Sequence, residues 1–249
     1  MSGKVATIIL NRNLPEPTDN LVRHLKKYDK GYTDIFVIEA GSDESKLSKN
    51  YTWHAKTEDI MKKGLRYCRG MNYALYKLWE EKKWENYEAF FLLTNDTELY
   101  AEPTISTLLS EIRKHKRVGL ISPCSKKWGE NLLLDKNSTK YFWFIHNNAL
   151  FMRRKFLEDI IEESPESYMS FCFDGNNFRG YLFESELIAK AYANDWAAAI
   201  TTKVYAEENA SHLLEKVDLI KTESYEEKLK LYIKEGEQWL KRKYGFKSR

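Results

Sequence analysis

Asp96 follows the apolar run Phe90-Phe91-Leu92-Leu93 inside Thr94-Asn95-Asp96-Thr97. A carboxylate at such a point can help hold a divalent cation, which in turn neutralises a diphosphate. A turn would also place Asp or Asn there, because both residues punctuate strand ends. Two more polar residues close comparable runs: Asn11 after Val5 to Leu10, and Glu39 after Ile35 to Ile38. Further along, Glu184 and Glu186 are two carboxylates in a helix-like segment, as ordinary surface glutamates would be. A carboxylate there could act as a base only if burial raised it above its reference pKa. Residues two apart on a helix face different directions, and these two glutamates need not share one role. Arg66 and Arg69, within Gly64 to Asn72, read on their own as solvated charge flanking a helix.

The elements that must carry these residues follow from hydrophobic spacing. Val5 to Leu10 reads as a strand buried on both faces, and Ile35 to Ile38, Phe90 to Leu93 and Val118 to Ser122 read likewise. Between them, Leu21, Val22, Leu25 and Tyr28 mark a helix capped by Thr18. Met71, Ala74, Leu75, Leu78 and Trp79 mark a second helix. Ile105, Leu108, Leu109 and Ile112 mark a third, opened by Pro103. This alternation predicts an α/β fold with a mostly parallel central sheet and helices on both faces. Ligands of such sheets bind beyond the carboxyl ends of the strands, where Asn11, Glu39 and Asp96 all fall.

The second half is less regular. Loops are expected at Lys126 to Lys140 and Ser164 to Gly180, strands at Phe142 to Met152 and Ala197 to Ala206, and a helix at Leu182 to Asn194. From Glu223 to Tyr244 a long helix carries Tyr225, Leu229, Tyr232, Ile233, Trp239 and Leu240 along one stripe. The expected organisation is one domain over residues 1–212, with a helical extension over 213–249 packed on it.

The chain balances 40 Lys and Arg against 37 Asp and Glu, for a net charge of +3, which gives no steering field for nucleic acid. Its three cysteines lack metal-like spacing and suit a reduced compartment. No secretion signal or membrane-length apolar run is visible, so a cytoplasmic location is expected. Lys241-Arg242-Lys243 with Trp239 and Tyr244 suggests peripheral contact with the inner face of an anionic membrane. Dinucleotide-binding, phosphate-loop and nucleophile-elbow motifs are absent. Asn11-Arg12-Asn13-Leu14-Pro15 also lacks the glycines of a nucleotidyltransferase loop.

The order of segments resembles the family 2 glycosyltransferases of the GT-A fold. Leu92-Leu93-Thr94-Asn95-Asp96-Thr97-Glu98-Leu99 is similar to their acidic motif in its softened form. Asp96 stands at the metal-binding Asp and Thr94 at the first acid. Ile38-Glu39-Ala40-Gly41-Ser42-Asp43 resembles the second strand, whose acid recognises the nucleoside; Glu39 is the matching residue. Arg69-Gly70-Met71-Asn72 resembles the stretch that covers the donor. Phe151-Met152-Arg153-Arg154 resembles an apolar strand closed by a basic pair. In Tyr181-Leu182-Phe183-Glu184-Ser185-Glu186-Leu187, Glu184 occupies the general-base position and Glu186 the supporting acid, while Phe183 replaces an acid. After the next strand the family places a His in the metal shell. The register reaches Glu207 or Glu208 there, with His212 a few residues on.

The likeness runs from about Lys4 to Ser211. It implies an inverting glycosyltransferase moving a hexosyl or deoxyhexosyl group from a nucleotide-diphosphate sugar to a hydroxyl of a glycan or lipid-linked acceptor, as in surface polysaccharide synthesis. UDP is the first expectation for the nucleotide, with dTDP or GDP as alternatives. The implied donor-binding residues are Asn11, Arg12, Glu39, Arg66, Arg69, Asn72, Thr94, Asn95 and Asp96. A Mn2+ or Mg2+ ion on Asp96 and His212 is the implied cofactor. Because Thr94 and Phe183 stand where acids are expected, a non-catalytic glycan- or nucleotide-sugar-binding relative is the alternative.

Overall fold

The computed structural model describes residues 3–161, 164–209 and 224–245. In chain order the elements are β1 (Lys4–Asn11), α1 (Pro15–Tyr28), β2 (Thr33–Ala40), β3 (Tyr51–Ala55), α2 (Glu58–Lys63), α3 (Arg66–Glu80), β4 (Tyr87–Thr94), β5 (Thr97–Leu99), α4 (Thr104–Lys114), β6 (Val118–Cys124), β7 (Thr139–Tyr141), β8 (Ala149–Arg153), α5 (Arg154–Ile160), α6 (Phe183–Ala193), β9 (Ala197–Glu208) and α7 (Tyr225–Tyr244). The strands form one sheet in the order β3-β2-β1-β4-β8-β6-β9-β5, with β7 also paired to β9. The run from β3 to β4 is parallel, as is the β6–β9 pair. Antiparallel pairing enters where β8 inserts between β4 and β6 and where β5 and β7 line β9.

Alternate residues of each central strand feed two cores. From β4, Phe90 and Leu92 pack with Met71, Leu75 and Leu78 of α3 and with Leu187 and Ala191 of α6. Ala89, Phe91 and Leu93 point the other way, to Leu21 and Leu25 of α1 and Ile105, Leu108 and Ile112 of α4. This two-sided burial explains the unbroken apolar runs. Each large side chain so enclosed contributes about 1.5–3 kcal/mol.

Parallel register sets the site. Asn11 lies beside Glu39 across β1 and β2, and Leu10 lies beside Thr94 across β1 and β4. The strands therefore present their terminal polar residues at one edge.

Several local expectations change. Thr18 does not cap α1, which starts at Pro15 with proline in its first turn. The Thr18 hydroxyl instead donates to the Leu14 carbonyl at 2.8 Å. The strand expected over Phe142 to Met152 is split, because only Ala149–Arg153 pairs at full depth while β7 ends at Tyr141. Between them His146 is drawn aside by its ring contact with Glu130 and its backbone bond to the Ser122 hydroxyl. On α7, Leu229 and Ile233 are about half exposed, at 48% and 50%. The inward line is Tyr232, Gly236, Trp239 and Leu240. The domain boundary expected at 212/213 lies outside the described residues.

Trp239 is buried, and its ring N–H donates to Asp174 at 3.0 Å. Lys243 reaches Asp174 and Glu186, both at 2.7 Å. Of the five residues expected at a membrane, Trp239 and Lys243 are thus engaged within the protein, while Lys241 and Arg242 are exposed. Among the described residues, no helix is long and apolar enough to cross a membrane.

Candidate donor site

At the strand edge, Asn11 is the central connector. Its amide nitrogen lies 3.0 and 2.9 Å from the two Glu39 oxygens. Its carbonyl oxygen accepts from Asn95 Nδ2 at 2.8 Å and from the Leu14 backbone at 3.3 Å. Glu39 is fully buried and also accepts from the Ser42 hydroxyl at 2.5 Å and the Ser48 backbone at 2.8 Å. Its carboxylate is saturated by protein groups and does not reach the open cavity. Asn11, which it orients, lines the cavity in its stead.

Beyond that edge lies a cavity of about 220 Å³, lined by Asn11, Thr94, Asn95 and Asp96 from the strands. Arg12, Gly64, Arg66 and Tyr67 line it from the other side, with Lys228 reaching in from α7. Gly64 has a φ of 73°, and a Cβ there would lie 2.6 Å from an Arg12 guanidinium nitrogen. Glycine is therefore required both for the turn and for the approach of Arg12. Arg12 donates to the Met61 and Lys62 carbonyls at 3.3 and 3.1 Å. Burial lowers its pKa despite the Asp43 charge. Arg66 opens α3 with a φ of 58°, a strained value for a side-chain-bearing residue. A second cavity, about 320 Å³, lies on the α1 side of the same turn and shares Asn95 and Asp96 with the first. A larger one beside Trp79 and Glu158 holds none of the strand-end residues.

Asp96 accepts a hydrogen bond from the Thr94 hydroxyl, the side chain that stands in for an acid. Opposite, β5 pairs with the end of β9, placing Glu208 beside Thr97. Burial and the Asp96 charge raise the Glu208 pKa, against a lowering by Lys228. Asp96, Glu208 and Lys228 therefore feel one another. Glu207 faces away and accepts from the Ser125 hydroxyl, the Lys126 backbone and the Tyr100 hydroxyl. Among the described residues no three His, Cys, Asp or Glu side chains come together, and the cavity offers a cation the carboxylate of Asp96 beside the Lys228 ammonium. His212 lies outside the described residues.

Glu184 sits in the first turn of α6, where Leu182 turns the chain with a φ of 52°. Burial raises its pKa, and among the described residues its Oε2 has no hydrogen-bond partner. The Tyr67 hydroxyl likewise has none, and the Glu184 charge acts on both Tyr67 and Tyr232. Tyr67 lines the donor cavity, so Glu184 lies behind it rather than on the cavity wall. Phe183, buried at the position of the missing acid, stacks on Tyr67 with ring centres 4.3 Å apart.

Three expected site residues serve elsewhere. Glu186 is held by Lys243 at 2.7 Å and by the Tyr244 hydroxyl, tying α6 to α7. Arg69 donates to the Gly175 carbonyl at 2.8 Å and lies 4.7 Å over the Phe178 ring. Asn72 accepts from the Cys172 and Phe173 backbones and donates to the Phe173 carbonyl at 2.7 Å. The last two clamp the 169–178 segment, whose unpaired backbone groups need such partners. Sequence reasoning missed Lys228, Tyr67 and Tyr232. Tyr67 sits between two arginines already singled out, but nothing local marks the other two.

No protein-family model and no curated protein matches the sequence. Solved structures do. A mannosyltransferase, PcManGT from Pyrobaculum calidifontis, determined with GDP-Man and Mn2+, aligns at 13% identity and a TM-score of 0.57 over 84% of this chain and 57% of that one. GalNAc-T7, with UDP, GalNAc and Mn2+, aligns at 10% identity and a TM-score of 0.60 over 83% of this chain and 44% of that one. S. aureus TarS 1-349 in complex with UDP aligns at 15% identity and a TM-score of 0.55 over 98% and 72%. The chain spans about half the length of the first two. It has the glycosyltransferase GT-A fold.

Proposed function

We propose that the protein transfers a sugar from a nucleotide-diphosphate sugar to an acceptor hydroxyl with inversion at the anomeric carbon. The observation that carries this reading is one cavity, at the carboxyl edge of a GT-A sheet, that combines Asn11, Asn95 and Asp96 with the cations Arg12 and Arg66. Paired guanidinium groups suit a diphosphate, and the strand-end amides suit the polar edges of a nucleoside or sugar. All three solved relatives were determined with a nucleotide or nucleotide sugar, which supports the same ligand class here. UDP leads, with GDP and dTDP as alternatives.

In the proposed reaction the Tyr67 ring, which lies between Glu184 and the cavity, turns aside so that the acceptor hydroxyl reaches Glu184. Glu184 takes its proton as the oxygen attacks the anomeric carbon, and the sugar–phosphate bond breaks on the opposite side. Arg12 and Arg66 meet the negative charge on the departing nucleoside diphosphate. A single displacement of this kind inverts the carbon. The acceptor we propose is a glycan or lipid-linked glycan hydroxyl, as in polysaccharide synthesis. A thermal-shift screen of UDP-, GDP- and dTDP-sugars tests the donor step, since a ligand of the folded state raises the melting temperature. No shift with any of them would sink the reading.

A second reading, a non-catalytic binder, draws on Thr94 and Phe183 in place of acids. It predicts donor binding with no released nucleoside diphosphate under any acceptor tested.

A further inference from the structure

Of the three basic side chains in the donor cavity, Lys228 comes from a different part of the chain. It belongs to the first turns of α7, directly after a capping box in which the Ser224 hydroxyl accepts from the Glu227 backbone and the Glu227 carboxylate accepts from the Ser224 backbone. That cap fixes where the helix begins and hence where Lys228 projects. One turn later Tyr232 lies against Tyr181, ring centres 5.1 Å apart. A Cβ on Gly236 would come within 2.2 Å of the Tyr181 ring, so the helix is seated as closely as its backbone allows. Arg179–Glu235 at 2.9 Å and the two Lys243 pairs close the far end. The helix that delivers Lys228 is thus anchored along its length.

We propose that the Lys228 ammonium brings to the donor's diphosphate the positive charge that a divalent cation would otherwise bring, so that donor binding at this cavity is independent of metal. The proposal rests on the nucleotide-sugar reading above. Placement supports it: Arg12, Arg66 and Lys228 line the cavity together, and Asp96 is the acid that lines it with them. Lys228 offsets the Asp96 charge that a diphosphate entering the cavity would otherwise meet. A divalent cation approaching Asp96 meets the ammonium's like charge, and one Asp96 oxygen already accepts the Thr94 hydroxyl. A lysine is suited to this task as a compact point charge with donors that can turn toward several oxygens.

The test is calorimetric binding of UDP, GDP and dTDP to the full chain, once in excess EDTA and once in excess manganese. The expected result is binding of at least one nucleotide in EDTA, changed less than about twofold by manganese. Lys228→Gln then loses at least about tenfold in affinity in EDTA, while Lys228→Arg keeps most of it. Binding that vanishes in EDTA and returns with manganese would overturn the proposal and leave the donor reading standing. Wild-type affinity in a folded Lys228→Gln, judged by its melt, would do the same. Failure of every nucleotide to bind under both conditions would overturn the donor reading and this proposal together. The wild-type comparison decides the matter even if the glutamine variant does not fold.

Discussion

The amide nitrogen of Asn11 spans both carboxylate oxygens of Glu39, at 3.0 and 2.9 Å, inside a fully buried pocket. This pairing turns the opposite side of the Asn11 amide toward Asn95 and the donor cavity. The acid that resembles a nucleoside-reading residue therefore acts as the support of Asn11, which lines the cavity.

Removing that support should cost stability first. In Glu39→Ala the Asn11 amide, the Ser42 hydroxyl and the Ser48 backbone N–H lose their acceptor, and each orphaned buried group costs about 1–3 kcal/mol. For a chain of this size one kcal/mol corresponds to roughly 2–4 °C in Tm. A drop of more than about 5 °C is expected, together with weaker nucleotide binding. A melt within about 1 °C of the wild type would show that Glu39 supports nothing.

Glu184→Gln should abolish the proposed chemistry without emptying the cavity. Loss of a general base lowers turnover by about 10²–10⁴-fold, while nucleotide affinity stays within about twofold of wild type. The pH dependence follows from the same carboxyl. Burial raises its pKa, and the base must be ionised, so the rate should rise with pH through a limb above the ordinary carboxylate range. That limb should be missing in the variant. The stability sign is the reverse: a raised folded pKa disfavours the ionised native form, so stability is lost as pH climbs through it. Glu184→Gln should accordingly melt higher than wild type at neutral pH. A wild-type limb that survives in the variant would assign the base to another residue.

Glu111 gives the opposite pH signature, away from the site. Burial alone would raise its pKa, but hydrogen bonds from Lys114, Lys203 and Thr139 outweigh it and hold the carboxyl down at about 2. A depressed folded pKa contributes stability above the ordinary value of 4.5, lost as pH falls toward 2. Glu111→Gln should lower the urea midpoint clearly at pH 7 and progressively less on acidification. An equal difference at both ends would mean that the ion pairs to α4 and β9 contribute nothing.

Gly236→Ala separates helix propensity from docking. In an isolated helix alanine is favoured over glycine by about 1 kcal/mol. Here the added methyl meets the Tyr181 ring at 2.2–2.4 Å. The clash should prevail: α7 should lose protection in amide exchange, and nucleotide affinity should fall as Lys228 is displaced. Greater protection of α7 in the variant would show that the contact yields.

Much of the scaffold is legible from local spacing. The runs ending at Asn11, Glu39 and Thr94 are strands because both faces of the sheet are covered, and their ends coincide because parallel neighbours share a register. The short β3 and α2 went unseen, having too few residues for any period to register. The first-half helices follow the one-face spacing, but the α7 stripe does not: Leu229 and Ile233 face outward although they keep the helical period. Periodicity marks an apolar face without saying what covers it.

What the sequence determined by itself is the order of the longer strands and helices of the first half, the acid turn at Asp96 and the helix start that carries Glu184. These depend on residues within a few positions of one another, where the repeat of a helix or strand is the dominant constraint. The tertiary structure alone decided that Glu39 is enclosed, that Arg69 and Asn72 clamp a loop, and that Lys228 enters the donor cavity. Asn72 meets Phe173 across 101 positions of chain, and Lys228 joins Asp96 in one cavity from a distant part of the chain. Contacts at that separation depend on how whole elements pack, and they leave no periodic trace in either partner's neighbourhood.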